Sequence, residues 1–310
     1  MNDNSLKFSL LVLNKLYLIM DLKTILALLC PLLVVSCGKE SLPISPERQD
    51  DMTVSFLGNI GPSTRATDSN FETGDAIGVF AIGVFAVEKT TGNVSGRLMS
   101  SNYADNVKYV YSNGLFSGAT SVIEQPTDKP LMFYKAVYPY SSDLRNEFSF
   151  AVGSDQSNSS SYTMSDLMTA DTEATTEVTP HLVFSHKLSN IIINLKYEEK
   201  PGGSEQMFFN NVLVEAKANI NENTFTAFGT SKTVIASGNG NNSFKVILPP
   251  QTIAEKVTLI TLKVGSKTFT FFPESDFIWK SGMQYTYDVT VSKAGIISFT
   301  SSINPWETDN

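Results

Sequence analysis

Cysteine is almost missing from this chain of 310 residues: only Cys30 and Cys37 occur, both close to the N-terminus. No disulfide or thiolate metal site is therefore available to the region that follows them. Histidine is as scarce, with only His181 and His186. Charged side chains make up 17% of the residues, where about 25% is usual for soluble domains. The formal net charge is −8 and Lys/Arg clusters are lacking. That removes the counterion-releasing footprint of a nucleic-acid binder. No apolar run reaches the ~20 residues a membrane-spanning helix needs. Past the N-terminal region no window sustains a 3.6-residue period, so long amphipathic helices are not expected.

What is plentiful is Ser, Thr, Asn and Gly, set among 42% hydrophobic residues. That mixture suits many short strands joined by turns. The length allows one large β domain or two of ordinary size.

The N-terminus reads as an address. Residues 25–35, ILALLCPLLVV, form a short apolar run preceded by Lys23. Such a run fits the ~7–15-residue h-region of a secretory signal. Val34-Val35-Ser36-Cys37-Gly38 follows at once and resembles a lipobox. Residues 1–36 are accordingly read as a lipoprotein signal peptide. Met20 is the expected initiator, because M-D-L-K-T-I-L opens a signal of ordinary length. Cys37 is the expected lipidation site: its thiol takes a diacylglyceryl group and its freed amine a further acyl chain, such as palmitate. Two or more chains anchor stably, at ~0.8 kcal/mol per buried methylene. Gly38, not Asp, follows Cys37, so nothing argues against the outer membrane and cell surface. The alternative is an ordinary signal with an incidental cysteine. Losing residues 1–36 removes three Lys and two Asp, leaving 20 basic against 29 acidic residues, or −9.

Residues 37–51 form a polar tether broken by Pro43 and Pro46. Thr53-Val54-Ser55-Phe56 then alternates as a half-buried strand does. A turn-like stretch is expected over residues 58–70. Further strands are expected at 76–87, 108–112, 130–138, 181–184, 190–197, 212–218, 243–248, 256–264, 267–272, 284–291 and 296–300. Residues 144–180 carry little strand signal and much Ser, Thr and Asp. They read as a domain junction or a long loop. The resulting expectation is an all-β chain with two tandem β-sandwich domains, residues 52–180 and 181–310. One segment is a five-residue tandem copy, Ile77-Gly78-Val79-Phe80-Ala81 followed by Ile82-Gly83-Val84-Phe85-Ala86. An odd-length insertion flips the faces of a strand. A bulge or loop at Gly78 or Gly83 is expected to absorb it.

Several segments, taken in order, resemble the fimbrillin family, the subunits and accessory proteins of type V pili in Bacteroidetes. They are Val54-Ser55-Phe56, Thr64-Arg65-Ala66-Thr67, and Phe71-Glu72-Thr73-Gly74-Asp75-Ala76-Ile77-Gly78-Val79-Phe80. Asp166-Leu167-Met168-Thr169-Ala170, Phe184-Ser185-His186-Lys187-Leu188 and Leu248-Pro249-Pro250-Gln251-Thr252 follow. Gly282, Tyr285, Tyr287, Val289 and Ile303-Asn304-Pro305-Trp306 close the series. The resemblance spans about residues 52–306, and the doubled I-G-V-F-A departs from it. It implies two sandwiches of transthyretin-like topology and assembly by donor-strand exchange. The strand at residues 53–57, with Val54 and Phe56 as anchors, would leave after an Arg-specific protease cuts between Arg65 and Ala66. A strand of another pilus subunit would replace it. Cutting at Arg48 would leave the strand attached, and in anchor subunits the strand stays. Residues 296–306 either donate to a neighbour or close their own domain; in the second case a tip or anchor position is implied.

Other chemistry has thin support. His181 and His186 with Asp166 or Asp171 lack the third His or thiolate of a zinc site. Gly238-Asn239-Gly240-Asn241 lacks the Lys-Ser/Thr of a P-loop. No G-x-S-x-G occurs. Neither a cofactor nor an enzymatic activity is expected. Tyr134, Tyr138, Tyr140, Phe271, Phe272, Phe277, Trp279 and Trp306 read as core, with Tyr138-Pro139-Tyr140 as the best surface contact. The competing reading is a stand-alone surface lipoprotein or tip adhesin that binds host glycan or protein.

Overall fold

Asn113 and Gly114 both take positive φ, 52° and 85°, the geometry of a tight hairpin turn. This turn and others like it join the strands of the described residues. The computed structural model describes residues 52–61, 70–87, 95–98, 102–127 and 131–306. Cys37, Arg48, Arg65 and Ala66 lie outside the described residues, as do the expected signal and tether.

Among the described residues the first nine strands are β1 (Phe56–Ile60), β2 (Ala76–Val87), β3 (Ser95–Leu98), β4 (Ala104–Ser112), β5 (Leu115–Gly118), β6 (Leu131–Tyr138), β7 (Glu147–Ala151), β8 (Met168–Asp171) and β9 (His181–His186). All but β7 share one sheet, ordered β3-β2-β4-β5-β1-β9-β8-β6, and β6 pairs again with β2. The sheet thus closes on itself and encloses Val54, Phe56, Ile77, Val79, Tyr109, Phe116, Tyr134 and Phe184.

Thirteen more strands follow: β10 (Ser189–Tyr197), β11 (Glu205–Val212), β12 (Glu215–Asn219), β13 (Thr224–Phe228), β14 (Lys232–Ile235), β15 (Ser237–Gly238), β16 (Ser243–Leu248), β17 (Gln251–Ile253), β18 (Ile260–Val264), β19 (Lys267–Phe271), β20 (Phe277–Trp279), β21 (Met283–Ser292) and β22 (Gly295–Pro305). A five-stranded sheet, β15-β16-β10-β21-β22, and a four-stranded sheet, β14-β11-β18-β19, share a second core. Ile191, Ile193, Val246 and Tyr285 enter it from one sheet, Phe209, Ile260 and Leu262 from the other.

The sheets do not part at residue 180. β9 belongs to the first sheet, where it lies parallel to β1. The segment expected to be poor in strands crosses between the two cores. β7 pairs with β12, Phe150 opposite Ala216. The alternation Glu147-Phe148-Ser149-Phe150 was masked by the Ser and Asp around it. Gln156 accepts from the Ile247 amide at 2.9 Å and donates to its carbonyl at 2.8 Å. A short helix, α1 (Ser159–Met164), starts at Asn158, whose side chain caps the Ser161 amide. Its Tyr162 is buried in the second core, and β8 then returns to the first sheet.

The tandem copy stays in one uninterrupted strand. β2 keeps perfect register with β6 from Gly78↔Val137 to Val84↔Leu131. Ile77, Val79 and Ala81 face the first core, whereas Phe80 reaches the second. The copy's Ile82 and Val84 fall on the less buried face, as an odd repeat requires. The bulge sits in β4 instead: Val79 opposes Val107, but Ala81 opposes Ala104. Asn106, at φ 48°, takes up the extra residue. Gly78 remains free of a side chain because a Cβ there would come within 2.2 Å of the Asn106 Oδ1. Two other strand expectations shift. Residues 212–218 bend between β11 and β12, and 256–264 starts as strand only at Ile260, past the positive φ of Lys256.

Candidate functional site

The first strand lies inside the sheet. β1 runs between β5, antiparallel, and β9, parallel. Phe56 opposes Phe116, and Leu57 through Ile60 oppose His181 through Phe184. Upstream of β1 the chain is held by segments that are not strands. The Val54 amide donates to the Ile123 carbonyl at 2.8 Å, and Ser55 to Val178 at 2.9 Å. Thr53 forms an isolated bridge with Glu124. The strand continues to Ile60, into the stretch expected to be a turn.

Val54 and Phe56 are both 0% exposed. Phe56 is clamped edge-on by Tyr109 and Tyr134, with ring centroids 5.0 and 5.1 Å away. The Tyr109 hydroxyl donates to the Val54 carbonyl at 3.0 Å and accepts from the Ile123 amide at 2.9 Å. Burial pushes the Tyr109 hydroxyl above its ordinary pKa, partly offset by the Ile123 amide. Tyr134 is raised further, by burial and then by Tyr109. Both stay neutral donors at physiological pH. The groove beneath β1 is therefore apolar, with one hydroxyl aimed at the strand's backbone. Alternation in the sequence pointed Val54 and Phe56 inward, as they lie, but did not name the walls. Tyr109 lay within the alternating Val107-Lys108-Tyr109-Val110 and was legible; β5 and residues 121–125 carried no clear signal.

The motif blocks prove to be joints. Asp75 accepts from the Glu72 amide at 2.7 Å and from the Tyr138 hydroxyl at 3.2 Å, fixing the turn into β2. Gln251 accepts from the Leu213 amide and donates to the Leu213 and Pro249 carbonyls, bracing the bend after β11. His186 and Asp166 meet in the interior, Nδ1 to Oδ1 at 2.9 Å. Trp306 stacks on His186 with centroids 4.0 Å apart and planes at 6°. His181 is exposed and Asp171 pairs with Lys135, so neither joins His186. Among the described residues no group of three His, Cys, Asp or Glu is placed to hold a metal. Residues 239–242 form the β15–β16 turn. Tyr138 is 2% exposed, so the expected Tyr138-Pro139-Tyr140 surface contact is corrected: Tyr138 packs in the first core beside Phe71. Phe272 is the aromatic of that set that is largely exposed.

At its far end the chain closes its own core. β22 pairs with β21 along its length, Phe299 stacks on Phe271, and Trp306 is buried.

A family model described as fimbrillin-like matches residues 64–306. The chain is 25% identical over 301 residues to a Bacteroides uniformis protein named "Putative fimbrium subunit Fim1C", covering 92% of this chain and 95% of that one. Among solved structures, a "putative cell adhesion protein" from Bacteroides ovatus superposes with TM-score 0.65 at 19% identity, covering 83% of this chain and 99% of that one. A second so described, from Bacteroides uniformis, gives 0.60 at 23% identity over the same shares. These two likenesses speak for the fold.

Proposed function

The chain belongs to the fimbrillin-like family, and from that membership we propose that it is a cell-surface pilus subunit whose first strand is exchangeable. The precursor is held at the outer membrane through lipid on Cys37. An Arg-specific protease cuts between Arg65 and Ala66, β1 leaves, and a strand from another subunit fills the groove. The observation that carries this reading is the pairing of deep anchors with a short ladder. Val54 and Phe56 are fully buried, yet β1 opposes β5 only at Phe56 and Leu57 and β9 only from Leu57 to Ile60. An emptied groove would bare unpaired backbone along β5 and β9, which an incoming strand satisfies by β-augmentation. Each anchor contributes about 1.5–3 kcal/mol on burial, against about 1–2 kcal/mol per residue for ordering an incoming chain.

One observation favours a second position for the subunit. β22 is paired to β21 and sealed by Trp306. A subunit that keeps this strand can accept but not donate, which suits a tip or an anchor. A tip subunit would bind host glycan or protein; a stand-alone surface lipoprotein is the limiting case.

The test is to trim purified protein with an Arg-specific protease and to follow mass and N-terminal sequence. Exchange predicts a new N-terminus at Ala66 and concentration-dependent polymers, or capture of a peptide spanning residues 52–61. Trimmed protein that stays monomeric and ignores the peptide would defeat the exchange reading. A Cys37→Ser variant is expected to lose incorporation of labelled palmitate; retained label would defeat the anchor.

A further inference from the structure

We infer that Trp306 is a positioning residue for the β1 groove, coupling the last strand of the chain to the wall that holds the first. β9 is that wall: it lies parallel to β1, and the Gly61 amide donates to its Phe184 carbonyl at 2.8 Å. Two residues further on, β9 ends at His186, which opposes Met168 of β8. His186 is 2% exposed and Trp306 6%. One face of the imidazole is covered by the indole, and its Nδ1 is held by Asp166.

The indole is itself pinned. The Trp306 amide donates to the Gly282 carbonyl at 2.8 Å, and the Gly282 amide donates to Leu188 at 2.9 Å. The Ser281 hydroxyl donates to the Lys187 carbonyl at 2.7 Å, and the Lys187 amide to Leu167 at 2.8 Å. The end of β22, the start of β21, the end of β9 and the start of β8 are thus tied in one buried joint. Gly282 admits this approach, because a Cβ there would sit 3.3 Å from the His186 carbonyl. When β1 is absent, β8 and this joint are what keep β9 in place. Displacing β22 pulls Trp306 off His186 and loosens the groove wall. The acceptor end and the C-terminal strand therefore sense each other.

The inference takes its biological meaning from the strand-exchange reading, but the coupling is a property of the intact chain and is tested there. Hydrogen exchange is measured at the Leu57 and Gly61 amides, which donate to Pro180 and Phe184, with the β10 amides as reference. Trp306→Ala is expected to speed exchange at Leu57 and Gly61 by about tenfold or more relative to β10, through local opening. Trp306→Phe, which keeps a stacking ring, is expected to stay near wild type. Phe299→Ala removes a comparable aromatic contact of β22 far from His186, and is expected to lower the melting temperature without favouring those two amides. Equal effects of Trp306→Ala and Phe299→Ala at Leu57 and Gly61, or no change with Trp306→Ala, would overturn the coupling. Polymer formation after trimming is a separate readout, so the exchange reading can fail while the joint survives.

Discussion

β1 and β10 occupy matching places in the two halves of the molecule and are held in opposite ways. Each lies between one antiparallel and one parallel neighbour: β5 and β9 for β1, β16 and β21 for β10. β1 with the residue Val54 just before it, and β10, each send three large apolar side chains into a core: Val54, Phe56 and Ile60 from the first, Ile191, Ile193 and Leu195 from the second. The ladders differ. β10 matches β16 from Ser189 to Asn194 and β21 from Ser189 to Tyr197. β1 matches β5 at two residues and β9 at four, and the chain before it is hydrogen-bonded to irregular segments at Ile123 and Val178. The first strand thus has the shorter ladder, and on the exchange reading it is a plug where the second is a beam. On that reading, a strand with similar side chains at alternate positions would take the place of the first.

The largest expected effects test that contrast directly. Phe56→Ala empties a fully buried site and is expected to cost about 3–5 kcal/mol. Ile191→Ala in β10 is expected to cost about 2–5 kcal/mol. The losses are alike, but the remedies are not. A synthetic peptide spanning residues 52–61 with Phe56 intact is expected to restore the denaturation midpoint of the Phe56→Ala protein. A peptide spanning 189–197 is expected to leave Ile191→Ala unrepaired. Rescue of both, or of neither, would erase the distinction between plug and beam.

A smaller effect is expected at the hydroxyl that ties the segment before β1 to residue 123. Tyr109→Phe leaves the buried Ile123 amide without its acceptor, at a cost of about 1–3 kcal/mol. The pH dependence has a definite sign. The folded pKa of Tyr109 is raised above its ordinary value of 10.0. Its contribution is therefore full below that value and is lost as pH climbs through the raised one. Wild-type stability is expected to fall above pH 10, and Tyr109→Phe to fall less steeply; chemical denaturation between pH 8 and pH 11, about the range tyrosines titrate in, reads both. Identical slopes would mean that another tyrosine, such as Tyr134 or Tyr138, carries the base sensitivity.

Most strands were legible because alternation and turn residues are local signals. Ala76–Val87, Leu131–Tyr138 and Ser243–Leu248 were expected nearly to the residue. The inward placement of Val54 and Phe56 was legible for the same reason. What alternation does not encode is which strand lies beside which. Sequence divided the chain at residue 180, yet β9 sits beside β1, over a hundred residues earlier, and the segment carrying β7 and α1 packs in the second core. The two-faced strand β2 was also opaque. Its tandem copy suggested a bulge within it, whereas the extra residue is Asn106 in the partner β4. The joint of His186, Asp166 and Trp306 joins residues far apart in the chain, so no window could assemble it.

The smallest expected effect asks whether the two halves are also joined at the surface. Lys135 of β6 pairs with Asp171 of β8 at 2.9 Å and reaches the Ile220 carbonyl in the second half at 3.5 Å. It is one polar thread between the cores, and on a drawing it resembles the Trp306 joint. The physics differs. The Asp171 side chain is 61% exposed, so water and salt screen the pair and ordering the long lysine offsets much of the gain. Lys135→Ala is expected to cost no more than about 1 kcal/mol, and less still at high salt. Thermal melts at low and high ionic strength measure the difference. A salt-independent loss larger than this would mean that the Ile220 contact braces the halves, and that the buried joint at Trp306 shares the task of holding the plug's wall in place.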